Sequence, residues 1–311
     1  MKIFILAARE NWITDRLEDE WIKNNRELYT QNIQEADIIW ILSNYRIHQI
    51  PLQYYQQKKV ITTIHHIVPW KMDQKLIQHY KILDQITDVF VTNQPICKNT
   101  LSKYTSKPIK VLPLWHNEGT WKIMNNKDEL RNKYNLGEND YLIGSFQKDT
   151  EGAGIAEGKY FPKLEKGPDN FVKAVTLLKN KHPNLKVVLT GYRRQFIIQE
   201  LKKNNIPYVY FEMPDFKKLN ELFNCLDLYI VASRVEGGPR AINECSLLKI
   251  PLFSTDVGIA RLLCHPDSIF DMNNIETILN CKADVEYNYK EAQKYTINNY
   301  IKTYTKKLFF E

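Results

Sequence analysis

The segment SRVEGGPRAINECSLLKIP, residues 233–251, holds two carboxylates, Glu236 and Glu244, around the run Gly237-Gly238-Pro239-Arg240-Ala241. Their eight-residue spacing carries nothing alone, because Glu10/Glu18, Glu27/Glu35 and Glu157/Glu165 repeat it. The surroundings differ. An apolar run, LDLYIVAS, ends at Ser233. Gly237 and Gly238 permit positive φ and leave room for a ligand against the backbone. Pro239 suits the first helical position, where its missing N–H is no loss. A helix opening there offers backbone N–H groups to an anion. Glu236 then lies in the loop at the helix mouth, and Glu244 inside the helix but near its start. N–H groups hold phosphate and carboxylates hold vicinal hydroxyls, so a diphosphate linked to sugars fits the set. Two plainer readings compete. Arg240 and Glu244 are an i,i+4 pair, worth about 0.2–0.5 kcal/mol on a surface, and Glu236 is equally readable as a solvated loop residue.

Other residues could serve the same chemistry. Arg193-Arg194 follow Gly191 at an apparent strand end and reach either phosphate or solvent. Met213-Pro214 lines a nucleobase pocket or forms a turn. His65 and His66 are adjacent on an extended run, so they point to opposite faces and make a poor chelating pair. One of them is as readily packed as functional. The chain has no D-x-D. No metal and no cofactor is expected.

The elements that must position these residues are legible as apolar runs alternating with amphipathic ones. In the first part strands are predicted at 2–8, 36–43, 59–66, 88–93 and 109–114, with helices around 14–24, 71–85 and 95–104. The pattern pauses at PLWHNEGTWKIMNN and resumes. Further strands are predicted at 140–146, 185–191, 207–213, 227–233, 250–256 and 268–272, with helices at 168–181, 194–204, 216–226 and 239–249. Continuous Val/Ile-rich strands separated by helices read as parallel sheets covered on both faces. The expected fold class is α/β, with two doubly wound Rossmann-like domains facing across a cleft. The expected bounds are 1–117, 118–287, and a C-terminal helix over 288–311 that can pack back on the first domain. Its predicted buried stripe is Ala292, Ile297, Ile301, Tyr304 and Leu308. Ligands of such sheets sit at the C-terminal strand ends, which is where the residues above fall.

Bulk properties exclude several classes. The chain has 311 residues, 43% hydrophobic and 25% charged, as in an ordinary globular protein of about two domains. Its net charge of +7 is spread, +3 over residues 1–118 and +4 over the rest. No RRM, KH or zinc-finger motif accompanies it, so nucleic acid is not an expected partner. The five cysteines are odd in number and lack a CxxC, which fits a reducing, cytoplasmic compartment. Residues 1–8 are too short an apolar run for a signal peptide, and none approaches the ~20 residues of a membrane span. The basic, aromatic stretch KTYTKKLFFE permits a peripheral membrane contact, with a snorkelling surface helix as the default. Trp12 and Trp21 read as core before acceptor platform.

EGGPRAINE followed by KIPLFSTDVG resembles the E-x7-E segment and downstream strand of family-4 glycosyltransferases of the GT-B fold. In the same order, TIHHI (63–67) resembles that family's T-x-H-D-L, VLPLWHN (111–117) its V-I-P-N-G, and GSFQKD (144–149) with KLEKGPDNFVKAVTLL (163–178) its donor-phosphate region. The resemblance is dense over about 140–262 and thin over 1–118. It implies a nucleotide-sugar donor, a glycan, lipid-linked or small-molecule hydroxyl acceptor, and retaining, metal-independent transfer in which the leaving phosphate helps deprotonate the acceptor. It implies that Glu244 holds the donor ribose, that Glu236 sits beside the transferred sugar, and that Gly238 with the backbone of Arg240 and Ala241 faces sugar and diphosphate. Lys166 matches the lysine that neutralises the diphosphate. Lys148 stands near the phosphate-binding arginine, keeping charge without the bidentate fork. His65 matches the histidine near the reacting sugar, but His66 replaces the usual aspartate. AARENWITDR replaces the usual glycine-rich loop after the first strand.

GAGIAEG (152–158) is one residue too long for a dinucleotide fingerprint, and KYFPK follows it instead of a helix. A mobile loop over the donor site is the preferred reading. Three other functions stay open from sequence: a nucleotide-sugar epimerase, a phosphorylase, and a catalytically silent sugar- or nucleotide-binding module. The base, sugar, acceptor and oligomeric state are not legible.

Overall fold

The computed structural model describes residues 1–10, 13–152 and 160–311. Trp12 and most of GAGIAEG lie outside them. The chain divides into two compact units: residues 1–115 with 297–311, and residues 116–296.

Unit 1 follows the alternation in the sequence. β1 (Ile3–Leu6) leads to α1 (Ile13–Asn24), β2 (Ile38–Ile41), α2 (Leu52–Gln57), β3 (Lys59–Ile64), α3 (Gln74–Ile86), β4 (Val89–Thr92), α4 (Pro95–Leu101) and β5 (Ile109–Val111). The five strands are parallel and stand in chain order, β1-β2-β3-β4-β5. Successive side chains alternate faces. Ile39, Ile41, Val60, Ile64 and Phe90 pack with Tyr55 of α2, Tyr80 and Leu83 of α3, and Cys97 and Leu101 of α4. The edge of β1 is covered by residues 28–30, through Ile3 N–H to Leu28 O at 2.7 Å and Thr30 N–H to Ile3 O at 3.1 Å.

Unit 2 contains α5 (Lys127–Lys133), β6 (Tyr141–Phe146), α6 (Pro168–Lys179), β7 (Leu185–Thr190), α7 (Gln195–Lys203), β8 (Tyr208–Phe211), α8 (Phe216–Asn224) and β9 (Leu228–Val231). It continues with α9 (Arg240–Leu248), β10 (Leu252–Thr255), α10 (Ala260–Leu263), β11 (Ile269–Phe270) and α11 (Val285–Gln293). Its parallel sheet runs β11-β10-β9-β6-β7-β8. One face packs Leu142, Val188, Tyr229, Val231 and Leu252 on α8, α9 and α10. The other packs Ile143, Val187, Leu189, Leu228 and Ile230 on α6 and α7.

The C-terminal segment is two helices, not the single one expected over 288–310. α11 stays in unit 2, where Ala292 is buried. α12 (Ile297–Phe309) belongs to unit 1. The break has a cause: the Tyr295 carbonyl accepts His116 N–H at 2.8 Å, and His116 and Thr296 pair as an isolated bridge. In unit 1, Tyr304 stacks edge-on against Trp115 at 5.0 Å, and Phe309 against Trp21 and Trp40 at 5.6 and 5.5 Å. Trp21 Nε1 donates to Thr305 Oγ1 at 2.9 Å. Trp21 is therefore core, and most of the aromatic C-terminal stretch is spent inward, with Phe310 exposed.

Candidate active site

The unit 2 sheet reverses its winding between β6 and β9, which are neighbours although β7 and β8 intervene in sequence. Strand ends at such a reversal leave a crevice over the sheet. Residues from both sides meet there. Lys166 closes a short 3-10 turn, Leu164–Lys166, and Gly167 follows in the left-handed region at φ 61° before Pro168 opens α6. A Cβ on Gly167 would lie 1.9 Å from the Ala232 carbonyl, so only glycine seats this turn on the end of β9. The Lys166 carbonyl accepts from Gln147 Nε2 at 3.1 Å and from Ser233 Oγ at 3.4 Å. The result is an ion pair across 70 residues of sequence: Lys166 Nζ lies 2.6 Å from Glu236 Oε1, and Ser233 Oγ reaches the same oxygen at 3.3 Å.

Glu236 is 8% exposed, so it is no solvated loop residue. Gly238 does not use the positive φ that its type permits. Its missing Cβ faces Ile259 Cγ2 at an ordinary 3.4 Å. The left-handed residue is Gly258, at φ 57°, where a Cβ would meet Pro239 Cδ at 2.8 Å and Gly238 at 3.1 Å. The EGGP turn is thus shaped by the turn after β10. Helix α9 starts at Arg240, one residue later than expected, and Ile242 N–H donates to the carbonyl of the capping residue Pro239 at 3.0 Å. Arg240 and Ala241 stand in its first turn, where N–H groups have no carbonyl inside the helix. Glu244 is partly buried one turn on. Beyond the effect of burial, its charge helps push the Tyr229 hydroxyl and the Cys245 thiol up.

Cations gather at the end of β6. Burial lowers the Lys148 pKa, and so do Lys163 and Arg193, with Glu151 opposing. Lys148 Nζ donates to the Gly152 carbonyl at 2.9 Å. Arg193, at φ 55°, is 5% exposed and its guanidinium donates to the Glu151 carbonyl, while its own carbonyl accepts Asp149 and Thr150 N–H at 3.4 and 3.2 Å. The side chain offered to phosphate is packed along residues 149–152. Arg194 reaches neither phosphate nor solvent, contrary to both sequence readings. It is 1% exposed and donates to Asp149 Oδ2 at 2.5 Å, to Ser145 Oγ at 3.0 Å and to the Ser145 and Thr190 carbonyls. It ties the ends of β6 and β7 together. Met213 occupies a left-handed turn after the edge strand β8, 67% exposed, as the plainer of its two readings has it.

His65 lies in unit 1, just past β3. Its Nε2 donates to the Leu42 carbonyl at 3.0 Å, and His66 is exposed. Burial, and secondarily the neighbouring His66, hold the His65 pKa below the usual histidine value, against the pull of the Leu42 carbonyl. Unit 1 also has an open, largely apolar pocket of about 370 Å³ lined by Ile50, Leu52, Tyr55, His79 and Ile82 among others. None of the expected site residues lines it. Among the described residues no group of three or more His, Cys, Asp or Glu could hold a metal ion, and no helix is long and apolar enough to cross a membrane.

Sequence reasoning missed Gln147 and Ser233 as partners of the Lys166–Glu236 pair, and Arg234 as a partner of Leu164, Asp169 and Asn170 beside it. Only a left-handed glycine directly before Pro168 was there to signal the turn.

Residues 162–302 match the family model for glycosyl transferases group 1. No curated protein sequence matches significantly. Among solved structures, Anabaena Alr3699/HepE in complex with UDP and glucose aligns at a TM-score of 0.77 with 12% identity, over 99% of both chains. WaaG, a glycosyltransferase of lipopolysaccharide biosynthesis, aligns at 0.64 with 11% identity over 100% of both. Sucrose-phosphate synthase from Thermosynechococcus elongatus aligns at 0.62 with 14% identity, over 98% of this chain and 76% of that one. The two parallel-sheet α/β units are those of the GT-B fold. Over residues 162–302 the chain is similar to group 1 glycosyl transferases, and the solved structures share its fold.

Proposed function

We propose that this protein is a glycosyltransferase that moves a sugar from a nucleoside-diphosphate sugar to a hydroxyl acceptor, with retention at the anomeric carbon and without a metal. The observation that carries the reading is the Lys166–Glu236 pair, 2.6 Å apart at the sheet reversal and next to the turn that opens α9. Lys166 is the ammonium available to a diphosphate, and Lys148 adds a second with a depressed affinity for its proton. The first-turn amides of Arg240 and Ala241 add fixed dipoles. Together they stabilise charge growing on the leaving phosphate, the role preorganised donors fill best. Glu244 accepts from the ribose hydroxyls, and Glu236 faces the transferred sugar. His65, neutral because its environment disfavours the charge and with its one N–H spent on the Leu42 carbonyl, leaves Nδ1 to accept a hydrogen bond from a sugar hydroxyl without adding a cation.

HepE has been crystallised with UDP, with UDP and glucose, and with UDP-glucose, so a uridine donor is the first to test. The experiment is a panel of UDP-, GDP-, ADP- and CMP-sugars with simple hydroxyl acceptors, EDTA present and absent, and the product anomer read by NMR. Transfer with retention, unaffected by EDTA, supports the reading. Sugar isomerised without acceptor would replace it with an epimerase. Turnover that requires free phosphate would make it a phosphorylase. Nucleotide binding without any turnover would leave a silent binding module.

A further inference from the structure

Lys166 and Glu236 can act together only if two separate turns are held in register. One side chain reaches both. Arg234 lies in the loop between Ser233 and Glu236. Its Nη1 donates to the Leu164 carbonyl at 3.1 Å and to Asp169 Oδ1 at 2.7 Å. Its Nη2 donates to Asp169 Oδ2 at 2.6 Å and to Asn170 Oδ1 at 2.9 Å. The backbone N–H groups of Arg234 and Val235 donate to the Glu165 carbonyl at 2.9 and 3.1 Å. Asn170 Nδ2 reaches back to the Ala232 carbonyl at 3.5 Å. The carbonyls of Leu164, Glu165 and Lys166 are thus each tied to residues 233–235, and Gly167 rests on Ala232.

This arrangement is poorly explained as a stability device. The Arg234 and Asp169 side chains are 27% and 40% exposed, and partly exposed ion pairs add little to folding free energy. A planar fork engaging both carboxylate oxygens does fix geometry. Asp169 is ready to accept it. Burial alone would raise its pKa, but the hydrogen bonds and charge of Arg234 hold it below the usual aspartate value.

Resting on the transfer reading above, we propose that Arg234 is a positioning residue: its fork on Asp169, Asn170 and Leu164 sets the register of Lys166 against Glu236. Arg234 acts through that pair, not on the donor. A lysine at 234 keeps the charge and loses the fork, so it restores the function only in part.

The test is a double-mutant cycle. Arg234→Gln, Arg234→Lys, Lys166→Ala and the double variant Arg234→Gln/Lys166→Ala are compared by kcat, donor KM and Tm. Arg234→Gln is expected to lower kcat at least tenfold, with donor KM changed less than threefold and Tm nearly unchanged. Arg234→Lys falls between it and the parent. In the Lys166→Ala background, Arg234→Gln costs less than a further twofold. Losses that multiply, or an Arg234→Gln kcat within twofold of the parent, overturn the proposal. A folded Lys166→Ala protein with full turnover overturns the transfer reading instead. If Arg234→Gln does not fold, Arg234→Lys and Asp169→Asn run the same cycle. If the parent transfers nothing, the transfer reading fails. UDP affinity by calorimetry then decides the clamp: a loss on Arg234→Gln that vanishes in the Lys166→Ala background supports it, and an additive loss overturns it.

Discussion

At the scale of single residues, charge placement decides what the site can do. Lys166 is held by its backbone on one side and by the Glu236 carboxylate on the other, so its ammonium is preorganised. Removing one such charge-stabilising donor typically costs about 2.7–4 kcal/mol in the barrier, or 10²–10³ in kcat. Lys166→Ala is expected to show that loss in initial-rate assays, with a thermal melt close to the parent's. His65 gives a pH prediction. Its folded pKa lies below its unfolded value, so the unfolded state takes up the proton first as pH falls. The stability owed to neutral His65 is complete above about pH 6.5 and is lost as pH drops through the folded value. NMR titration of the ring should give a midpoint below about 6.5, and a His65→Gln protein should lose the matching part of the acid slope in urea melts. A midpoint above 7 would remove the neutral-histidine role. The identity of these residues was readable, since lysine, glutamate and histidine stand at motif positions. Their partners were not. Gln147 follows β6 while Ser233 and Arg234 follow β9, and only the sheet order brings them to residues 164–170.

At the scale of elements, backbone geometry carries the site. The strands were legible because a strand buried on both faces is largely apolar, as in VFVT and LYIV of β4 and β9. Helices with a clear stripe, such as α6 and α8, were equally plain. Helix α5, KDELRNK, was missed because its burial rests on Leu130 and Arg131 alone. Helix α2, LQYYQQ, buries only Tyr55 and is too short to show a period. The left-handed glycines separate the two ways of reading a turn. Sequence placed that freedom at Gly237 and Gly238, but the packing demand falls on Gly167 and Gly258. Gly167→Ala puts a Cβ against a backbone carbonyl at a φ that costs an L-residue roughly 1–2 kcal/mol. With the clash added, a loss of about 3 kcal/mol or more is expected, seen as a fall of about 6–12 °C in Tm. A Gly167→Ala protein melting with the parent would show that the 164–167 turn is not fixed on β9.

At the scale of the whole molecule, each unit has its own core, and unit 1 is closed by the last helix of the chain. Tyr304, Leu308 and Phe309 of α12 are buried in it. Five of the six tryptophans lie in residues 1–115, so fluorescence reports mainly on unit 1. Deleting residues 297–311 should red-shift the emission and abolish the unit 1 transition. A fragment of residues 116–296 should still melt cooperatively and, at 100 times its dissociation constant of UDP, gain about 2.7 kcal/mol. A blue-shifted, cooperatively folded deletion protein would contradict the closing role of α12. The sequence by itself determined the alternation of strands and helices, because local period and apolar runs need no partner to be read. It also supplied the chemical identities of Lys166, Glu236 and Glu244. Only the tertiary structure decided that β6 and β9 are neighbours, that Arg194 is a buried tie instead of a phosphate ligand, and that the C-terminal stretch is two helices in two units. Each of these depends on contacts between residues tens to hundreds of positions apart, and nothing in a local stretch encodes which distant partner a side chain will meet.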